Sequence, residues 1–470
     1  MPSESTPLVG KEEDLEMFRR LKAYQPWAFF VTFGGYLMAH FSRKSYSTIK
    51  TKLKDPDIGG FDPIVMATMD TVFMGTYAAG NIINGKLGDT FNPTTILSIG
   101  LFGSGACLLL LNIAIWFNLV QVSPGFGNLF IVAVYFVFGF FQATGGPVGT
   151  AVMGNWFCDP DSIKKRGTIF GFWTCHQYVG DITAQVFSPL IFILGLPYWW
   201  VLFVPALCNV AWGFLTLGLV ADPYESGIVT PEVKDRMAKL EIKKKAALES
   251  GETVDESGPP PISYLDAFKI PMVAQYALAF GFFKLVNYTM FFNLPQILEE
   301  NFTSSTANLI AALYSVGMMP GGIIVGYVSD LFGGRRAAVI GVFMCSLIVV
   351  MAIYANLEDP SPFVILPLLG LMGILVGGPN NIITSAVAAD LASHPSVKGS
   401  TKSLGTVTGL INGCGSITAS IGLLAIEPLK AVDIFYVWMY LIGCTAFGTL
   451  LMSTKIYAEL YPPPTTSVDV

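Results

Sequence analysis

The sequence has little charge for its length. Only 13% of its 470 residues are charged and 53% are hydrophobic, whereas soluble domains carry roughly 25% charged residues. A chain with so few charges cannot cover a surface that faces water, so we expect lipid to be its main solvent. The formal net charge is −6, which excludes the strongly basic surface typical of nucleic-acid binding.

The chain also lacks the patterns that bind metals or carry out catalysis. Its seven cysteines have no metal-ligand spacing and are interpreted as small buried hydrophobic residues. We find no G-x-S-x-G, no H-E-x-x-H and no P-loop. The polar segment 1–22 lacks the basic-then-apolar order of a signal peptide, so the first apolar run is expected to remain as a membrane span. Because these metal-binding and catalytic patterns are missing, we expect the protein not to be an enzyme and to bind no metal or cofactor.

Apolar runs of about 20 residues, the length that crosses a bilayer, are what the chain has in abundance. We predict twelve spans, at 27–50, 64–85, 94–116, 126–149, 167–194, 197–220, 270–298, 305–328, 336–356, 361–388, 403–426 and 431–455. The predicted organisation is a cytoplasmic segment 1–26, a six-helix half 27–220, a charged linker 221–263, a second half 264–458 and a tail 459–470.

The distribution of lysine and arginine predicts the orientation of the chain. Most of the 27 basic residues lie at the N-terminus, in the linker, at the C-terminal end or in the connections from even to odd spans. Lys50, Lys52, Lys54 and Lys430 lie on the opposite side, and we interpret the cluster from Lys50 to Lys54 as a snorkelling helix end. Both termini and the linker are therefore predicted to be cytoplasmic.

The two predicted halves carry the same short motifs. GKLGD at 85–89 ends the second span and GYVSD at 326–330 ends the eighth, while Gly-Gly-Pro recurs at 145–147 and 377–379. The members of both pairs are separated by a similar distance along the chain. Two halves that run in the same direction imply a pseudo-twofold axis along the membrane normal, so we expect a substrate site between them near mid-membrane.

The motif that ends the second and eighth spans is similar to the signature loop of the major facilitator superfamily, a G-x-L-x-D pattern followed by basic residues. In the second copy, Asp330 is followed by two glycines and by Arg335 and Arg336. The first copy ends in Asp89 but continues with FNPT at 91–94. The resemblance implies an all-α membrane protein with two pseudo-symmetric halves. The residues to which it gives structural or gating roles are Gly85, Asp89, Gly326, Asp330, Arg335 and Arg336.

Polar residues follow one face of the first predicted span. Tyr36, His40, Arg43 and Ser47 are spaced by four, three and four residues, which places them on one side of a helix. A charge that faces lipid costs several kcal/mol, so an arginine inside a span is a functional candidate. The pattern predicts that this face borders a water-filled cavity.

The seventh span, the repeat partner of the first, contains the second such cation. Lys284 has Asn287 and Tyr288 one turn further along the helix. Arg43 lies about 16 residues and Lys284 about 14 residues from the cytoplasmic starts of their helices, so their depths agree within about 3 Å. No obvious carboxylate neutralises them on the same helices, and we interpret the missing counter-charge as the substrate.

A phosphate monoester suits this pair of cations. Arginine offers a planar fork for an oxyanion and lysine adds a compact charge, and the monoester carries close to two negative charges at pH 7. The structural alternative is that Arg43 and Lys284 pair with Asp181, with Asp70 or with carbonyls at helix ends. Asp181 is open to two interpretations, as a proton-coupling carboxylate or as the partner of a neighbouring cation.

Longer stretches carry a closer resemblance. GGYLMAHFSRK at 34–44 is similar to the first span of the organophosphate:phosphate antiporters. FGFFKLVNYT at 280–289 resembles the seventh span of their eukaryotic branch, the sugar-phosphate exchangers of solute carrier family 37. The similarity continues in both halves at 154–157, 165–167, 173–176, 378–391 and 398–408.

This resemblance implies a set of substrate contacts. Arg43 and Lys284 would grip the phosphate. Asn81 stands where bacterial members have a lysine, so one contact to a charged headgroup is absent. The bacterial members place a histidine where this chain has Gln177, whereas His176 matches the eukaryotic branch. The predicted substrate-binding residues are Arg43, Lys284, Tyr36, His40, Tyr77, His176, Asn287 and Tyr288.

The predicted function is exchange of a phosphorylated sugar, similar to glucose 6-phosphate, or another organophosphate for inorganic phosphate. The expected partners are these small solutes and the lipid bilayer, with the chain working as a monomer. The resemblance favours the endoplasmic reticulum membrane, with another organelle or the plasma membrane as alternatives. The rival functions are a proton-coupled or facilitative carrier of another organic anion or a neutral sugar, and a membrane sensor or scaffold that transports nothing.

Overall fold

The computed structural model describes residues 8–229, 234, 238, 262–298, 302, 304–357, 361–394 and 403–461. Within these ranges the chain is helical almost throughout and contains no β-strand. Most of the linker predicted at 221–263 lies outside the described residues, as do the first seven residues, residues 395–402 and most of the predicted tail.

Helices that span most of the bundle, some of them broken or kinked, form the described architecture. They are numbered in chain order as α1 (Leu8–Leu53), α2 (Pro63–Thr90), α3 (Pro93–Trp116), α4 (Pro124–Gln142 with Gly145–Trp156), α5 (Arg166–Trp173 with His176–Ile193), α6 (Trp200–Leu217), α7 (Val273–Leu298), α8 (Ser304–Leu331), α9 (Arg336–Ala355), α10 (Pro362–Ile382, a π turn at Ile383–Val387, and Ala388–Ala392), α11 (Leu404–Leu423 with Ile426–Val432) and α12 (Ile434–Leu451). Shorter helices include Pro160–Lys164, Tyr264–Lys269 and Ser453–Leu460.

Local sequence explains where several helices begin and break. Asp62 caps the backbone N–H groups of the first turn of α2, and Asn92 caps the first turn of α3 in the same way. Both helices then start with a proline, which has no N–H to leave unpaired. In α4, Pro147 has no N–H to donate to the carbonyl of Ala143, and the helix is interrupted there. The break, at Ala143 and Thr144, lies immediately before the first Gly-Gly-Pro motif.

Seven of the described segments are long and apolar enough to cross a membrane by themselves: α3, α4, α6, α9, α10, α11 and α12. The other long segments, α1, α2, α5, α7 and α8, contain more polar and charged residues. Four of them carry the predicted substrate-binding residues. Their lower hydropathy is what helices that border a water-filled cavity require.

Two helix crossings close one end of the bundle, where α2 and α8 end and α5 and α11 begin. A Cβ placed on Gly85 of α2 would lie 2.2 Å from the carbonyl oxygen of Gly405 in α11. A Cβ on Gly326 of α8 would lie 2.1 Å from the carbonyl oxygen of Gly167 in α5. Only glycine allows the backbones to come this close. We call this end of the bundle the closed end.

Each crossing is completed by an aspartate at the start of the partner helix. Asp89 accepts hydrogen bonds from the backbone N–H groups of Gly405 and Thr406 at 3.0 and 2.6 Å. Asp330 accepts from those of Gly167 and Thr168 at 3.0 and 2.7 Å. Unpaired N–H groups and the helix dipole favour an anion at a helix N-terminus. The sequence repeat thus corresponds to two equivalent contacts that each join the first six helices to the last six.

An ion-pair network lies beside only one of the two crossings in the described part of the chain. Arg336 bonds Asp330 at 3.1 Å and also contacts Asp390, which accepts from Arg166 at 2.8 Å. Arg166 belongs to α5, so this network crosses between the two groups of helices. Arg335 is exposed and takes part in no ion pair among the described residues.

A buried carboxylate, Asp159, fixes α1 near Lys22 and Gln25 to the loop after α4. Asp159 accepts hydrogen bonds from Lys22 at 2.8 Å, Gln25 at 2.7 Å and Ser162 at 2.5 Å. Burial by itself would raise the pKa of the Asp159 carboxyl, but the hydrogen bonds from Lys22, Ser162 and Gln25 outweigh it and lower that pKa to about 2. The carboxylate is therefore ionised throughout the physiological range and stabilises this corner of the closed end.

Candidate functional site

A cavity of about 440 Å³ lies between the first six and the last six helices. On α1 its lining extends from Tyr36 to Lys50, which corresponds to roughly 21 Å along the helix. It reaches the surface at the end opposite the closed end, where Lys50 pairs with Asp70 and both side chains are partly exposed. The described structure is thus open on one side only.

Arg43 of α1 enters the cavity between aromatic rings. Its guanidinium carbon lies 4.5 Å from the centroid of the Tyr77 ring and 5.4 Å from that of Phe73. It makes one long hydrogen bond, at 3.4 Å, to the side-chain oxygen of Gln142. Its Nε is buried and has no hydrogen-bond partner in the part of the chain that the structure describes. Contact with ring faces stabilises the cation and leaves its N–H groups available to a ligand.

Lys284 of α7 approaches the same ring from the other group of helices. Its Nζ lies 5.9 Å from the centroid of Tyr77 and donates hydrogen bonds to Asn412 at 2.7 Å and Ser416 at 2.8 Å. The residue is only 6% exposed. Two cations from opposite halves therefore face one space, as the sequence predicted.

Neither cation has a carboxylate within 4 Å among the described residues. The two acids that could have paired with them are engaged elsewhere. Asp70 contacts Lys50, and Asp181 lies 3.3 Å from the ring nitrogen Nδ1 of His40. Arg43 and Lys284 therefore do not pair with Asp181 or Asp70, which was the structural alternative to binding an anionic substrate. Arg43 and Lys284 are thus two positive charges in the cavity that no described carboxylate pairs with; Lys44, which lies over the ring of Phe291, also lines the cavity.

Aromatic and histidine side chains form the wall beside Arg43. The ring centroids of Tyr36 and His176 are 4.3 Å apart, and those of Trp173 and His176 are 4.6 Å apart. The Tyr36 hydroxyl lies 3.3 Å from the Tyr77 hydroxyl. His176 is 1% exposed, and neither of its ring nitrogens has a hydrogen-bond partner among the described residues. Buried polar atoms are rarely left unpaired, so this wall offers hydrogen bonds to a ligand.

Asn287 and Tyr288 of α7 also line the cavity. The Tyr288 ring centroid lies 5.3 Å from the Nζ of Lys284, and Asn287 accepts a hydrogen bond from the Tyr314 hydroxyl at 3.4 Å. All eight predicted substrate-binding residues therefore border one cavity. The predicted gating residues lie at the closed end, apart from it.

The sequence reasoning missed the polar side chains of α10 and α11. Asn412 and Ser416 hold Lys284, and Thr408 also lines the cavity. These three recur every four residues, which is the pattern of one helical face. The same periodicity identified the face of α1, so it could have identified this one. On α10, Asn381 accepts hydrogen bonds from Gln177 at 2.5 Å across the two halves.

The family model that describes the Major Facilitator Superfamily matches residues 27–423. The chain belongs to this superfamily, whose members move solutes across membranes. Two solved structures show the same fold. The proton:xylose symporter XylE bound to 6-bromo-6-deoxy-D-glucose has a TM-score of 0.65 at 12% identity, covering 94% of this chain and 96% of that one. A bacterial homologue of the iron transporter ferroportin in an outward-facing state has a TM-score of 0.63 at 14% identity. The match covers 91% of this chain and 99% of that one.

Curated relatives narrow the assignment to the organophosphate:phosphate antiporter family within the superfamily. Putative glycerol-3-phosphate transporter 3 of Arabidopsis thaliana is 33% identical, covering 90% of this chain and 87% of the relative. Sugar phosphate exchanger 3 of Xenopus laevis is 30% identical, covering 92% of each. The human sugar phosphate exchanger 3 is 29% identical, covering 92% of this chain and 93% of the relative. The resemblance found in the spans of Arg43 and Lys284 is therefore confirmed over most of the chain.

Proposed function

We propose that the protein exchanges a small organophosphate, a sugar phosphate or glycerol 3-phosphate, for inorganic phosphate. The observation that carries this proposal is the pair of buried cations, Arg43 and Lys284, which come from opposite halves and have no carboxylate partner in the described structure. A dianionic phosphate group neutralises the pair, whereas a neutral sugar would leave both charges buried and unpaired. The names of the relatives support a phosphorylated substrate.

Binding of the anion supports a mechanism of alternating access. Sealing two unneutralised cations into a medium of low dielectric constant is costly, so the empty cavity resists closure of its open side. A phosphate bound by Arg43 and Lys284 removes most of this cost. Closure then follows binding, and the crossings of α2 with α11 and of α5 with α8 separate to release the solute on the other side. This sequence produces exchange rather than net leak.

The placement of the chain in the membrane is part of the same proposal. Twelve spans in two six-helix halves, 27–220 and 264–458, account for the repeated contacts at the closed end. The lysine and arginine distribution puts the segment 1–26, the linker 221–263 and the tail 459–470 in the cytoplasm. The closed end is then the cytoplasmic end. We further propose that the chain works as a monomer and resides in the endoplasmic reticulum membrane.

The test is phosphate exchange in proteoliposomes loaded with unlabelled phosphate. Lys284→Ala should abolish uptake of labelled inorganic phosphate, because one of the two charges that hold the anion is removed. Lys52→Ala is the matched control, since Lys52 is an exposed lysine of α1 that does not line the cavity. Undiminished exchange by Lys284→Ala would overturn the role assigned to the cation pair.

The rival carrier function is tested in the same vesicles. Labelled glucose 6-phosphate and glycerol 3-phosphate should each exchange with internal phosphate, and labelled glucose should not. Uptake of glucose that is independent of internal phosphate would favour a carrier of neutral sugar. Uptake that follows an imposed proton gradient would instead favour proton coupling and would give the His40–Asp181 contact a direct role.

A further inference from the structure

Lys284 is positioned by neutral groups of α11. Its ammonium donates to the side-chain oxygens of Asn412 and Ser416 at 2.7 and 2.8 Å, which uses two of its three N–H groups. The Ser416 hydroxyl in turn donates to the backbone carbonyl of Asn412. Because both acceptors are uncharged, they orient the cation without cancelling its charge.

Asn412 makes a second contact, to the opposite half of the molecule. Its amide nitrogen donates to the side-chain oxygen of Asn81 in α2 at 2.7 Å. The amide nitrogen of Asn81 donates to the carbonyl of Tyr77 at 2.7 Å. Lys284 can only donate, so the orientation of both amides along this chain of hydrogen bonds is determined. One side chain thus connects the cation in α7 with α2.

The bond between Asn81 and Asn412 is the side-chain hydrogen bond of this crossing that lies nearest the cavity in the described structure. Asn81, Gly85 and Asp89 recur every four residues and form one face of α2. The outer two meet the backbone at the start of α11, as described above. Asn81 is fully buried and Asn412 is 7% exposed, so water does not compete for this hydrogen bond.

The other crossing is built differently at the equivalent depth. Gly322 of α8 occupies the position that the repeat gives to Asn81, and the side chain of Asn381 from α10 packs against it. Asn381 accepts hydrogen bonds from Gln177 and Tyr178 at 2.5 and 3.1 Å. The hydrogen bonds of Asn381, Gln177 and Tyr178 within the described residues involve no cation. In the described part of the chain, only the crossing of α2 with α11 is connected by side-chain hydrogen bonds to Lys284, a predicted ligand of the anion.

We propose that Asn412 is a positioning residue that transmits the occupancy of Lys284 to the crossing of α2 with α11. The inference rests on the proposed function, since it requires an anion at Lys284. A phosphate draws the ammonium into the cavity and away from the Asn412 side-chain oxygen. The amide then loses the donor that fixes its orientation, and its bond to Asn81 weakens. The closed end opens more readily when the anion is bound.

The experiment measures the opening of the closed end with a cysteine at Thr406, which is fully buried in the crossing. Thr406→Cys is introduced into a chain whose native cysteines are replaced and which still exchanges phosphate. Inorganic phosphate should raise the rate at which a maleimide labels this cysteine. Asn412→Ala should raise the rate without phosphate about fivefold, as expected for loss of one buried hydrogen bond, and phosphate should then raise it little further.

Three further variants make the test specific. Ser416→Ala removes a contact to Lys284 that does not reach the other half, so it should weaken phosphate binding but preserve the phosphate-dependent labelling at saturation. Asn81→Ala should raise the labelling rate as much as Asn412→Ala does. The double variant should be labelled no faster than either single variant. Asn412→Asp places a carboxylate on the ammonium and should weaken phosphate binding at least about tenfold.

The outcomes separate the two proposals. If the parent chain exchanges no phosphate, the proposed function fails, and if Lys284→Ala retains exchange, the role of the cation pair fails. If Lys284→Ala abolishes exchange while Asn412→Ala and Asn81→Ala keep the parent's phosphate-dependent labelling, the proposed function stands and the role of Asn412 is overturned. Additive effects of the two asparagine variants would also overturn it, because independent contacts add. The Asn81 variant keeps the test decisive if Asn412→Ala fails to fold.

Discussion

At the residue scale, the central feature is an aromatic ring shared by two cations. The faces of aromatic rings carry partial negative charge and attract cations without bearing a full charge themselves. Tyr77 lies near both Arg43 and Lys284, so it reduces the cost of holding them in one cavity. A carboxylate in its place would stabilise the pair more strongly but would also take the place of the anionic ligand.

Replacement of Tyr77 tests this role of the ring. Tyr77→Leu should lower the affinity for phosphate about tenfold, because the cation–ring attraction at a buried site is of the order of 1 to 2 kcal/mol. Tyr77→Phe keeps the ring and should retain most of the affinity. The measurement is the phosphate concentration that half-saturates exchange. Equal losses in the two variants would assign the effect to the hydroxyl instead.

The residue scale also shows why Asn412 could not be predicted from the sequence as part of the site. Arg43 and Lys284 stand out because a charge inside an apolar helix needs an explanation. Asn412 is a neutral amide in a helix rich in glycine, serine and threonine, where such residues are also common for packing. Its importance depends on its two partners, Lys284 and Asn81, which are distant in sequence.

At the scale of helices, the crossings at the closed end depend on glycine. The repeated motifs at Gly85 and Gly326 were predicted to be structural or gating elements, and the structure places both at contacts between backbones. Their partners, Gly405 and Gly167, were not identified from the sequence. Nothing in a glycine-containing helix specifies which other glycine it will meet, because that depends on how the helices are arranged.

A methyl group at Gly85 tests whether this close approach is required for the closed end to form. Gly85→Ala should reduce phosphate exchange at least about tenfold, since an overpacked contact typically costs 1 to 3 kcal/mol. It should also raise the labelling of Thr406→Cys in the absence of phosphate. Gly75→Ala is the matched control in the same helix, because a Cβ at Gly75 meets no atom within 4 Å. Unchanged labelling in Gly85→Ala would contradict the requirement for glycine.

At the scale of the whole molecule, the two halves are related by a repeat but are joined unequally. Both crossings use an aspartate at a helix N-terminus. Only the crossing of α5 with α8 adds the network of Arg336, Asp390 and Arg166 in the described structure. The absence of basic residues after Asp89 in the sequence anticipated this difference. The structure adds that Asp390 connects the two halves, which a local motif does not reveal.

Neutralisation of Asp390 should therefore shift the conformational equilibrium. Asp390→Asn weakens one bond within the C-terminal half and one between the halves, and we expect the closed end to open about fivefold more often. Asp266→Asn is the control, since the Asp266 side chain contacts only Lys269 and Ser263, at its own short helix, among the described residues. The measurement is the labelling of a cysteine at Thr168, beside Asp330. If the cysteine is labelled at the parent's rate in both variants, the ion-pair network does not stabilise the closed end.

The sequence by itself determined the class of protein, because apolar runs long enough to cross a bilayer and a low share of charge leave few alternatives. It also determined the two cations, since an unexplained charge in a span is conspicuous. Only the tertiary structure decided that Arg43 and Lys284 share the ring of Tyr77, that Asp70 and Asp181 are engaged elsewhere, and that Asn412 reaches across to Asn81. These contacts join residues far apart in the chain, and no local pattern encodes which of them meet.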